Sequence, residues 1–442
     1  MKNDEVRILS VELTNFKNVE NGIIVMPSDL DKDYFSDKAD LVGIYGKNGS
    51  GKTAFLEALK FIKDILSGNK LDGNEHYINK KVKELKVSVK FSILTSDFKA
   101  IVGYSVTYGS KSSKLPNEIL SEILTISSFE DEKLRKKRTL INYKIQNKLE
   151  NLFKPKFRLK EILKISPENK VNLEVARQFS LDNNTSFIFS KKFFDLFEKK
   201  YGFNETKIVL SALHKYSIKN LFVITNKNND LICSELFLPV SLTESNTIDK
   251  ERYVLIQKII EKINIVLITI IPGLQIEIHE FKDTLDNENN VKKRIELISN
   301  REGVKIPLKY ESDGIIRIIS ILDIIVCVFN YSGMFLAIDE LDSGIFEFIL
   351  GQFISVFQEC AKGQIVFTSH NLRVLELAKK NSIVFSTIYS KKRFIRFSDI
   401  KSISKLRDGY LRSMVLDAQK ETIYEENDDV EISRALRKIK MN

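Results

Sequence analysis

Apolar residues change their spacing several times along the chain. Residues 6–13 alternate as a strand, and after the turn Asn15-Phe16-Lys17-Asn18 the run 22–26 can return as a second. Residues 28–40 are polar and acidic, which reads as a surface loop. The unbroken apolar run 41–45 fits a buried strand, and helical spacing follows over 53–59. From 84 to 129 the period is two, cleanest over 85–93 and repeated over 100–108 and 119–129. That pattern predicts an antiparallel meander with one wet face.

Between 130 and 220 the spacing turns helical and predicts helices over 134–152, 190–201 and 206–221. Phe187, Phe189, Phe193, Phe194 and Phe197 read as a seam between them. Further on come an amphipathic helix (248–267), a strand (274–279), a hairpin around Asn300-Arg301-Glu302-Gly303 and a long apolar helix (315–330). A buried strand (334–338), a helix (345–361), a strand (364–368), a hairpin within 383–397 and a helix (404–419) complete the order. The apolar run 315–338 is broken by Arg317, Asp323, Asn330 and Ser332-Gly333, so it predicts a buried helix and strand, not a membrane span.

The run 41–45 leads into Gly46-Lys47-Asn48-Gly49-Ser50-Gly51-Lys52-Thr53, which fits G-x-x-x-x-G-K-[ST] without a mismatch. Strand, glycine loop and helix are the setting in which backbone N–H groups surround phosphates at a helix N-terminus. Lys52 can then reach the β- and γ-phosphates of a nucleoside triphosphate, and the Thr53 hydroxyl can bind Mg²⁺. A second pattern, Phe335-Leu336-Ala337-Ile338-Asp339-Glu340, puts two acids at the end of a buried strand. Asp339 suits the metal, directly or through water, and Glu340 suits polarisation of an attacking water. Ser312-Asp313-Gly314 opens the long apolar helix, either as an anion site or as a plain N-cap. Ser369-His370 ends the next strand, where ligands bind in open α/β sheets.

These four pieces in this order resemble ABC-type ATPase heads of the SMC-like, RecF-like and OLD-like branch. The resemblance implies an α/β head, a mixed sheet with an antiparallel β subdomain, interrupted by a basic helical insertion. It divides the chain into 1–130, 131–250 (the insertion), 251–420 and a charged tail, 421–442. It makes Gly46, Asn48, Gly49, Ser50, Gly51, Lys52, Thr53 and Ala54, with Phe16 and Lys17, the nucleotide contacts, and Ser312 and Gly314 the signature. Lys52, Glu340 and His370 become the catalytic set, and Thr53 and Asp339 the metal ligands. Leu341-Asp342-Ser343 resembles the D-loop. In such heads the signature of one subunit completes the ATP site of another, which implies a homo-oligomer of head-to-head ATP-sandwich pairs.

Gly43 to Thr53, Asp339 to Glu347 and Phe367 to Arg373 further resemble the ATPase subunit of PARIS-type bacterial anti-phage defence. That implies assembly with a separate TOPRIM-type nuclease, released when an acidic phage protein, often a DNA mimic, is sensed. The chain lacks the acidic clusters of such a nuclease, so cleavage would belong to the partner. A DNA-clamping repair ATPase is the alternative. A GTPase is disfavoured because Asp230 lies one place late for N-K-x-D, and a transporter by the short signature.

Composition adds one feature. The net charge of +10 is concentrated: residues 131–220 hold 21 Lys and Arg against 10 Asp and Glu. This segment could capture an acidic protein, bind phosphate backbones, or form a solvated basic face. Three scattered cysteines and four scattered histidines give no metal-ligand spacing, and the charged N-terminus has no signal-peptide core. A cytoplasmic protein with no membrane partner is expected.

Overall fold

The computed structural model describes residues 5–96, 98–110, 117–130, 133–156, 169–198, 205–225, 230–233, 240–285 and 291–396. The expected helix at 404–419 and the charged tail lie outside the described residues.

A six-stranded sheet forms the centre, in the order Phe394–Ile395, Ile383–Ser386, Asp40–Tyr45, Gln364–Thr368, Phe335–Ile338 and Leu221–Ile224. The five strands from Ile383–Ser386 to Leu221–Ile224 run parallel, and Phe394–Ile395 pairs antiparallel at the edge. Every residue of Asp40–Tyr45, Phe335–Ile338, Gln364–Thr368 and Ile383–Ser386 is buried, as expected of parallel strands covered on both faces. One face carries Val42, Ile44, Ala337, Val366 and Val384 into a core shared with the helix Lys52–Leu66 and the second sheet. The other carries Leu41, Leu336, Ile338, Ile365 and Phe367 against the helices Asp313–Asn330 and Glu347–Cys360.

The second sheet is wholly antiparallel. Val19–Val25, Glu5–Phe16, Glu84–Leu94, Lys99–Gly109 and Glu118–Glu130 follow one another, with Arg138–Lys144 and Lys133–Leu134 paired to the last. The meander is thus present at the expected place. A third, smaller unit packs the helix Lys250–Ile270 on a sheet of Asn246–Ile248, Val291–Arg301, Leu274–Glu280 and Val304–Pro307. Asp249 caps that helix, accepting the Arg252 N–H at 2.8 Å.

Three expectations need correction. The stretch 134–152 is not a helix: Arg138–Lys144 is a strand and Leu149–Asn151 a 3₁₀ turn. Leu134, Ile141, Ile145, Leu149 and Leu152 happen to fall on a helical stripe, but the segment pairs with Glu118–Glu130, which also buries Leu140 and Tyr143 and leaves Leu134 exposed. The aromatic residues do not form a helix–helix seam alone. Phe187 and Phe189 precede the helix Lys191–Glu198 and meet Tyr143 and Tyr104 of the antiparallel sheet, ring centroids 4.8 and 5.4 Å apart. Residues 28–40 do not form a purely surface loop, since Ser28 and Asp40 are buried.

The described part of the basic segment does not stand apart from the head. Leu173, Phe187, Phe193, Leu210 and Tyr216 belong to the same core as the helix Lys52–Leu66. The fully buried Glu122 anchors the loop before Lys191–Glu198, accepting from Tyr104 Oη at 2.7 Å and from the Phe187 N–H at 3.0 Å. Among the described residues no helix is long and apolar enough to cross a membrane.

Candidate functional site

The carboxyl ends of Asp40–Tyr45 and Phe335–Ile338 bring the two main motifs together. A cleft of about 370 Å³ opens there, lined by Lys17, Asn18, Asn48, Gly49, Gly51, Lys52, Thr53, Ala54, Glu57, Asp339, Glu340 and His370. Its size is within the range of small-ligand sites.

The glycine loop is shaped by its neighbours. Gly46 has φ 154°, and a Cβ there would lie 2.6 Å from the Ser386 carbonyl, so no larger residue fits. Gly49 and Gly51 also have positive φ. Lys52 is the first residue of its helix; its Nζ donates to the Gly46 carbonyl at 2.8 Å and the Lys47 carbonyl at 3.1 Å. These two bonds use two of the three ammonium protons. Burial lowers the Lys52 pKa, while Asp339, Glu340 and Asp342 pull it back up.

The acidic side is built on Thr368, the last residue of the strand Gln364–Thr368. Its hydroxyl accepts the Glu340 N–H at 2.7 Å and meets Asp339 Oδ1 at 2.5 Å. Glu340 itself has φ 47°, in the left-handed region, which turns its exposed side chain out of line with the strand. Arg317, from the helix Asp313–Asn330, donates to the Asp339 carbonyl at 3.1 Å. The His370 N–H donates to Asp342 Oδ2 at 3.0 Å, tying the histidine to the segment after Asp339-Glu340. Partial desolvation at the cleft and then the Lys52 charge lower the His370 pKa, against the pull of Asp342, Glu340 and Asp339, which favours the neutral imidazole.

Thr53 is exposed at the cleft, and its hydroxyl and the Asp339 carboxylate are oxygen donors of the kind Mg²⁺ takes. The residues present fit that ion, which would neutralise phosphate charge there. Other residues tune the rim. Lys17 pairs with Glu57 at 2.6 Å, Asn18 Nδ2 donates to the Gly49 carbonyl, and Arg393 donates to the Asn18 carbonyl. Asn18, Glu57, Thr368 and Arg317 escaped the sequence reading because none lies within the four patterns.

Not every expected contact reaches the cleft. Phe16 is fully buried, stacked on Tyr77 with ring centroids 5.0 Å apart, and cannot touch a base. Ser50 is buried, its hydroxyl engaged by the Ser386 hydroxyl. Ser312 and Gly314 do not line the cleft. Ser312 is exposed and caps its helix through a long 3.4 Å contact from the Ile315 N–H. Gly314 is required by packing, because a Cβ there would lie 1.8 Å from the Gly344 carbonyl.

A family profile described as "AAA domain, putative AbiEii toxin, Type IV TA system" matches residues 41–376. The chain belongs to this family. The match runs from the strand before the glycine loop to the helix after His370, so it includes every cleft residue except Lys17 and Asn18. Membership in an AAA-domain family implies nucleotide binding. No curated protein matches the chain.

Similar solved structures include the Smc head domain with an extended coiled coil, bound to the C-terminal domain of ScpA, from Pyrococcus furiosus. It is 13% identical, with a TM-score of 0.43, over 88% of this chain and 96% of that one. The recombination mediator RecF with ATP is 12% identical, TM-score 0.39, over 89% and 98%. The SMC head domain from Thermotoga maritima is 13% identical, TM-score 0.36, over 88% and 98%. At these scores the likeness says nothing of what this chain binds.

Proposed function

We propose that the chain is an ATP hydrolase whose catalytic unit is a pair of heads. One observation carries this reading. Lys52, Thr53, Asp339, Glu340 and His370 converge on one cleft, whereas the exposed Ser312 stays outside it, free to meet a nucleotide held by a second chain. Lys52 and the glycine loop bind and orient the triphosphate, Glu340 holds the attacking water, and the neutral His370 offers an N–H to the phosphate end. ATP then joins two chains, and hydrolysis parts them.

The finer role we infer is that of a sensor in anti-phage defence, holding a TOPRIM-type nuclease until an acidic phage protein is met. Its support is the motif resemblance together with the toxin–antitoxin description of the family. Exposed Lys133, Arg135, Lys136 and Lys137 at the outer end of the antiparallel sheet suit an acidic trigger. The same residues favour a second reading, direct DNA binding, with its steep salt dependence.

Light scattering with saturating ATP tests the pairing. Glu340→Gln is expected to form dimers, and Glu340→Gln with Ser312→Arg to bind ATP as a monomer. A Glu340→Gln chain that stays monomeric overturns the proposal. Lys52→Ala is expected to lose at least about 10-fold in ATP affinity, because charge-assisted hydrogen bonds are worth roughly 1.5–3 kcal/mol; normal affinity would remove the cleft as the nucleotide site.

A further inference from the structure

We propose that Thr368 is a positioning residue that sets the metal ligand and the water-holding carboxylate with one hydroxyl. The inference rests on the ATP-site reading above. Thr368 is fully buried at the end of Gln364–Thr368, and its neighbouring strand is Phe335–Ile338, which ends immediately before Asp339. Its Oγ1 lies 2.7 Å from the Glu340 nitrogen and 2.5 Å from Asp339 Oδ1.

Proton counting fixes the roles. The Glu340 N–H can only donate, so the hydroxyl accepts there. Its single proton then points to Asp339 Oδ1, which accepts it. The Asp339 oxygen so engaged is held in place, and the carboxylate retains its second oxygen as a ligand for a divalent cation.

The Glu340 bond acts on backbone. Glu340 has φ 47°, a conformation that non-glycine residues adopt rarely and only when their surroundings hold them. The Thr368 hydroxyl grips its N–H, and the Thr368 carbonyl accepts the N–H of Leu341 at 3.0 Å. Two consecutive amides are therefore fixed to one residue of the adjacent strand. That fixation keeps the Glu340 side chain on the cleft side. A valine of the same shape would fill the space but hold neither group.

The test compares wild type, Thr368→Val and Thr368→Ser. Binding of the fluorescent analogue mant-ATP is titrated with Mg²⁺, and ATP turnover is measured alongside. Thr368→Val is expected to bind mant-ATP normally in EDTA. Its Mg²⁺ midpoint should rise about 10-fold, and its kcat should fall about 10- to 100-fold with KM little changed, as for other residues that orient metal ligands. Thr368→Ser keeps the hydroxyl and should restore both.

A Val variant with wild-type midpoint and kcat overturns the assignment. So does a Ser variant whose Mg²⁺ midpoint and kcat are shifted to the degree expected of Val, a result that decides the matter even if Val fails to fold. Wild type that binds no mant-ATP at all defeats the underlying nucleotide reading, a result distinct from either.

Discussion

The two ends of the central sheet both concentrate charge, and they do so in opposite ways. At the amino end Asp40 is buried and fully engaged. It accepts from the Ser28 N–H at 2.8 Å, the Ser28 hydroxyl at 2.6 Å, Arg7 Nη2 at 3.1 Å and Gln364 Nε2 at 2.9 Å. Arg7, 1% exposed, also donates to the carbonyls of Ser332, Lys362 and Lys38. These charges have exchanged water for protein partners and join five distant segments. At the carboxyl end Thr53, Glu340 and His370 are exposed, and Asp339 is only half-buried. Their backbones are held, but their side chains face a cleft. A charge saturated by its own chain is a structural fastener. A charge held from behind and open in front is equipped for a ligand.

That contrast can be broken by single substitutions. The largest effect is expected for Glu340→Gln, which should lower kcat about 100- to 10,000-fold, the range for loss of a general base, while leaving the thermal midpoint unchanged. Multiple-turnover ATPase assays and calorimetry check both halves; a large loss of stability would place Glu340 among the fasteners. Asp40→Ala should do the reverse. It leaves the Arg7 guanidinium buried without its counter-charge, at a cost of about 3–5 kcal/mol in denaturant unfolding, with mant-ATP affinity of the folded protein unchanged. A mild effect would mean that the carbonyls around Arg7 suffice.

The sequence displayed these two ends unequally. The glycine loop and the strand ending in Asp339-Glu340 are legible because local geometry requires them. Only glycine tolerates the backbone at Gly46, and a buried parallel strand must be continuously apolar. Thr368 was hidden because a β-branched residue in an apolar strand looks like packing, and only the pairing with Phe335–Ile338 gives its hydroxyl a task. The Arg7–Asp40 pair spans 33 positions, and nothing in either segment announces the other.

The resemblance puts Phe16 at the nucleotide, but the turn around it, with Asn15 and Lys17 at positive φ, packs its ring into the core against Tyr77. The stretch 134–152 was misread because charge dilutes its pattern. Few apolar positions remain, and tertiary pairing chose the strand over the helix.

The smallest and most discriminating effect concerns Gln364, four residues before Thr368 on one strand. Its amide donates to the Ile8 carbonyl at 2.7 Å and to Asp40, and its carbonyl accepts the Ile8 N–H at 2.8 Å. Gln364→Leu keeps similar bulk and leaves three buried polar groups short of a partner. Each such loss costs about 1–3 kcal/mol, but Asp40 retains three other donors and the edge can relax, so a total near the lower end, about 2 kcal/mol, is expected in urea unfolding. ATP turnover and the Mg²⁺ midpoint should match wild type, whereas Thr368→Val should move both with little loss of stability. If Gln364→Leu instead shifts the Mg²⁺ midpoint, the two ends communicate along the strand Gln364–Thr368, and the division between fastener and site fails.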